Sequence, residues 1–144
     1  MEQITEENQI ELNNRYKTTA IIVGVQILST VLMIVVAWFL AARDNSITQE
    51  AASALWMMVL FIAVGTFVMR RFLFSWERLK ATALLKGIKK LISSLQINTI
   101  ILCAFAEIIA IIGFLVATLN GNRFEMFRAG AVALIVFLMN FPRK

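Results

Sequence analysis

Apolar residues fall into four runs along this chain, separated by short clusters of charge and amide. The first, residues 18–42, carries no charged side chain and at about 1.5 Å per residue is long enough to cross a hydrocarbon core of about 30 Å. Residues 52–71 form the second run, closed by Arg70 and Arg71, and residues 97–119 and 126–142 form the third and fourth. Each is predicted to be a transmembrane helix. The expected fold is therefore all-α: a polytopic membrane protein with four transmembrane helices in two hairpins.

The polar stretches between the runs predict the joints. Residues 1–17 hold Glu2, Glu6, Glu7 and Glu11 without an apolar stripe, which predicts a polar tail or frayed helix. This acidic leader and the long first run argue against a cleaved secretory signal. The segment 43–50 is a polar turn, with Thr48 or Ser53 as candidate caps, and Asn120-Gly121-Asn122 is a second turn signal. Residues 72–96 differ from both. Basic residues there alternate with Leu79, Leu84, Leu85, Ile88, Leu91 and Leu95 at helical spacing, which predicts an amphipathic connector, a helical hairpin or a surface helix, at the headgroups. Residues 18–144 are read as one membrane domain.

Composition supports lipid as the solvent. The chain of 144 residues is 60% hydrophobic and 16% charged, with mean hydropathy +0.79. Soluble domains are about 45–50% apolar and about 25% charged, so the surplus apolar surface needs lipid to cover it. The single Cys103 rules out an internal disulfide, and with no His and scattered carboxylates neither a metal site nor any other cofactor is implied. The net charge of +5 does not point to nucleic acid, because the basic residues gather at the ends of apolar runs. With a cytoplasmic N-terminus, Arg15, Lys17, Arg70, Arg71, Arg78, Lys80, Lys86, Lys89, Lys90, Arg143 and Lys144 lie on the cytoplasmic side, eleven of the fourteen basic residues. The excess predicts both termini and the connector on the cytoplasmic face of a bacterial-type inner membrane.

Glu107 stands near the centre of the most apolar stretch, residues 98–119. An ionised carboxylate in hydrocarbon is expensive, so such a residue is paired, protonated or functional. Its helix carries small residues at spacings of three and four, namely Cys103, Ala106, Ala110, Gly113 and Ala117, a seam that lets a neighbouring helix approach closely. Gln26 is placed at a similar depth in the first run, and an amide there can exchange hydrogen bonds with a protonated Glu107. The two halves share this layout of long run, turn, shorter run and closing basic pair, which hints at a parallel internal repeat.

The run AEIIAIIGFLVA, with Glu107 followed six residues later by Gly113, resembles the carboxylate-bearing helix of the proteolipid c subunit of rotary ATPases. The resemblance spans these 12 residues and implies that Glu107 binds a proton or cation. That family carries its acid on the second helix of a hairpin and has a glycine-repeat helix without a counterpart here, so Glu107 alone is carried over. Four-helix small multidrug transporters, with one membrane glutamate, are similar in outline, although their acid is on the first helix.

Nothing in the chain pairs a nucleophile with a base or forms a phosphate-binding loop, so catalysis is not expected. The expected function is a non-enzymatic membrane subunit or scaffold, forming a homo-oligomer or part of a larger complex in the lipid bilayer, with Glu107 and Gln26 as the candidate proton or ion site. The alternative is a proton- or cation-coupled carrier. Arg78, Lys80, Lys86, Lys89 and Lys90 are candidate contacts to anionic lipid or to a partner. Topology is directly testable in a Cys103→Ser background. Asn122→Cys should react with a membrane-impermeant maleimide added to intact cells, and Thr82→Cys only after permeabilisation; the opposite pattern would reverse the assignment.

Overall fold

The computed structural model describes residues 6–40 and 49–141, which are helical except at short joints. Five helices follow in order: α1 Glu6–Leu40, α2 Gln49–Leu73, α3 Trp76–Lys86, α4 Ile88–Asn120 and α5 Arg123–Asn140. The residues 41–48, including most of the expected turn and Thr48, lie outside the described residues, as does the closing pair Arg143 and Lys144.

Local chemistry sets the visible joints. Gly121 closes α4 in the left-handed region at φ 64°, where a side chain would be strained, and the Asn122 side chain accepts a hydrogen bond of 3.1 Å from the Phe124 amide to open α5. The Asn-Gly-Asn signal thus makes a tight helical hairpin. Gly87, at φ 78°, separates α3 from α4. Ser53 does not cap α2. It lies inside the helix, with its hydroxyl donating to the Glu50 carbonyl.

Two helices extend beyond the apolar runs. From Glu6 the polar leader is helix, continuous with the first apolar run, because an existing helix extends cheaply once nucleated and Arg15 pairs with Glu11 at 2.9 Å one turn away. The stretch 72–96 is not a single connector either. Only α3 is a separate amphipathic helix; residues 88–96 are the first turns of α4, so Lys89 and Lys90 belong to the central helix and Arg78 and Lys80 to α3.

α4 is the hub, the helix against which each of the other four packs. Its first half meets the first half of α1 through Arg15 and Gln96, and its second half meets the second half of α1 where Ala37 and Ala117 share a buried cluster. The two helices therefore run parallel. α5 returns antiparallel along α4 after the hairpin. α2 also descends, with Trp56 near the start of α5 and Arg70 near Arg15 and Asn140. The arrangement is an up-down-up-down bundle with α3 at one end.

The small-residue seam of α4 is buried over its full length, since Cys103, Ala106, Ala110, Gly113 and Ala117 all lie inside the protein. What fills it is α5 of the same chain. A Cβ on Gly113 would collide with the Cβ of Ala129, and Ala133 and Phe137 continue the contact. The seam is thus taken up within the chain.

Three helices, α1, α2 and α4, are long and apolar enough to cross a membrane. α5 falls short because Arg123, Glu125 and Arg128 occupy its first two turns and leave a shorter uncharged remainder. Overpacking tests the α4–α5 contact. Gly113→Ala should lose about 1–3 kcal/mol in thermal unfolding followed by circular dichroism in mild detergent. Gly24→Ala, where nothing lies within 4 Å of the added Cβ, should be neutral or better.

Candidate functional site

The depth of each polar residue follows from the parallel pairing of α1 and α4. Arg15 donates to the Gln96 side-chain oxygen at 3.1 Å, and Met33 and Phe114 pack on the same Ala37–Ala117–Met126 cluster. Both pairs are separated by 81 positions in the sequence. The same offset puts Gln26 level with Glu107. On α1, Gln26 lies on the buried stripe of Thr19, Val23, Thr30 and Ala37. On α4, Glu107 is half-buried at the edge of the seam, next to Cys103 and Ala110.

The two groups are level, but no hydrogen bond joins them. The Gln26 Oε1 atom is buried without a hydrogen-bond partner, and Glu107 has none among the described residues. The expected exchange of hydrogen bonds is absent from this arrangement. Four buried or nearly buried threonines are satisfied locally. Thr19, Thr30, Thr66 and Thr99 each donate to the carbonyl one turn earlier, at 2.7, 3.1, 2.7 and 2.9 Å, so their hydroxyls enter an apolar interior without a tertiary partner.

Polar clusters mark both ends of the bundle. At one end, Trp56 donates to Glu125 Oε2 at 2.7 Å, tying α2 to α5, and the guanidinium of Arg123 stacks on Trp38 at 5.0 Å. Trp38 also meets Phe127 edge-on at 5.5 Å. At the other end, Arg15, Arg70, Gln96 and Asn140 line a cavity of about 340 Å³. The sequence reading missed these four residues. No local signal marks them, because the register that brings Arg15 to Gln96 and Arg70 to Asn140 is set by helix packing.

The basic candidates are divided between two helices, α3 and α4. Arg78 covers the Phe72 ring at 5.2 Å, Lys80 is exposed on α3, and Lys89 and Lys90 are exposed on α4. The side chain of Lys86 lies outside the described residues. Trp76, Leu84 and Leu85 on α3 are more than three-quarters exposed, so this helix presents apolar as well as basic side chains outward. Among the described residues no three His, Cys, Asp or Glu side chains gather as metal ligands.

Fold and site together define an all-helical protein with three helices able to span a membrane and one carboxyl in the midst of the central helix. Comparison with protein-family models, curated proteins and solved structures finds no match to this chain. The unbonded Gln26 carbonyl is the most informative position to change. Gln26→Met removes it at similar volume, and thermal stability in detergent should hold or rise by up to about 1 kcal/mol. A loss of more than about 1 kcal/mol would mean that Gln26 and Glu107 bond in the protein.

Proposed function

We propose that this chain is an integral membrane protein of four spans that alternate in direction, acting as a non-enzymatic subunit or scaffold of a membrane complex, with copies of itself or with other chains. In this reading α5 is the fourth span, carried across by α4 although its own uncharged length is short. Both termini and α3 face the cytoplasm in a bacterial-type inner membrane, and Glu107 keeps its proton within the bilayer.

The observation that carries the reading is α2. Met57, Met58, Leu60, Phe61, Val64, Phe67, Val68 and Phe72 all point away from the protein, and of the large residues on this helix only Val59 is fully covered. An apolar helix that rests so little on its own chain must be covered by lipid or by helices of another chain. Packing in lipid favours close-fitting helices over polar chemistry, and the interior of this bundle is built of Ala, Gly, Val and Ile.

A second reading, a proton- or cation-coupled carrier, is favoured by one specific feature. Gln26 Oε1 and the Glu107 carboxyl stand at one level with unused acceptor capacity, and a proton or small cation would engage both. The two readings separate in one experiment on the full chain in native membranes. For the subunit, Glu107→Gln retains the complex isolated in mild detergent, and modification of Glu107 by a hydrophobic carbodiimide is indifferent to added sodium. Protection by sodium, or loss of transport in Glu107→Gln with assembly intact, would favour the carrier and overturn the subunit.

A further inference from the structure

The cavity near Arg15 and Arg70 comes from a mismatch in helix length. α4 has 33 residues, about 50 Å, whereas α5 has 18, about 27 Å, and ends at Asn140 while α1, α2 and α4 continue. The space below the end of α5 lies between those three helices and is open on one side. Its volume of about 340 Å³ is enough for a small ligand or a lipid headgroup.

The lining is specific. Arg15 is held by Glu11 at 2.9 Å and by Gln96 at 3.1 Å, which orients the guanidinium and leaves further N–H groups free to donate. Arg70 is half-buried on the facing helix α2. Asn140 is 9% exposed; its Nδ2 donates to the Val136 carbonyl at 2.9 Å, whereas its Oδ1 is buried without a partner. A ligand that completes this site offers an anion to the arginines and, once the Asn140 amide turns to uncover its Oδ1, a hydroxyl donor to that oxygen. Phe74, Ile92, Leu95 and Phe141 add an apolar wall.

The depth of the cavity selects between soluble and lipid sources. Arg15 and Gln96 precede the first and third apolar runs, and Arg70 closes the second, so the site lies where hydrocarbon gives way to headgroups. We infer that this cavity binds the headgroup of one anionic phospholipid carrying a free hydroxyl, a phosphodiester on Arg15 and Arg70 with its hydroxyl on Asn140. The inference rests on the reading of these helices as membrane spans.

The test uses the full chain in nanodiscs and in detergent, with bound lipid counted by native mass spectrometry. One phosphatidylglycerol is expected to stay bound, in preference to phosphatidylcholine and to phosphatidylmethanol, which has the charge but lacks the hydroxyl. Arg70→Gln should weaken retention at least ten-fold. Asn140→Leu, which removes the unpaired carbonyl, should abolish the preference for phosphatidylglycerol over phosphatidylmethanol while circular dichroism shows the helices intact. Equal retention of phosphatidylcholine would overturn the proposal. So would displacement by millimolar glycerol phosphate, which would point to a soluble ligand. If Arg70 only neutralises the carbonyl end of α5, Arg70→Gln would lower thermal stability alike in every lipid and leave retention unchanged, also against the proposal. Release of the chain from vesicles by alkaline carbonate would overturn the membrane reading itself; a chain that stays in the bilayer but is indifferent to lipid would overturn the site alone.

Discussion

The close approach of α4 and α5 at Gly113 and Ala129 is the constraint on which the other contacts depend. Between apolar helices in an apolar solvent there is little hydrophobic drive, so attraction comes from dispersion and rises as backbones draw near. Glycine and alanine allow that approach on one side of α4. With α5 seated there, Cys103, Ala106 and Ala110 are enclosed, and Val23 of α1 and Val59 of α2 close over the same cluster. The central position of α4 follows from this, because its small residues let α5 seat closely while α1 and α2 close over the same cluster.

Polar groups within the bundle are arranged by how they can be satisfied. Threonines return their hydroxyls to their own helix and so place no demand on the fold. Gln26 and Glu107 cannot do this fully, and the parallel pairing of α1 and α4 sets them at one level. Charged groups at the ends are tied across helices instead. Arg15 joins α1 to α4, and Glu125 joins α5 to α2 through Trp56 while Arg128 stands 3.6 Å away. The two ends differ in consequence. The Trp56–Glu125 end is closed by aromatic rings, and the Arg15–Arg70 end stays open because α5 stops early.

Local chemistry was legible where one residue decides a conformation. The Asn-Gly-Asn turn follows from left-handed backbone that glycine tolerates, and the seam follows from spacings of three and four along a helix, whereas the break at Gly87 was not read from the sequence. Period and composition could not say where the connector ended, since Lys89 and Lys90 suit the first turns of α4 as well as they suit a surface helix. Nor could they give the cavity, which is formed by residues from four helices whose levels depend on packing.

The sequence by itself determined the helices, their apolar lengths, the place of Glu107 in the most apolar of them and the small-residue face beside it. These are properties of neighbours in the chain, governed by a 3.6-residue period and by the solvation of side chains. Only the tertiary structure decided which helix fills that face, that α1 runs parallel to α4 in a register bringing Gln26 level with Glu107 without bonding it, and that the short α5 leaves Asn140 above a cavity. Such outcomes depend on the relative lengths and close approach of distant segments, which no local pattern encodes.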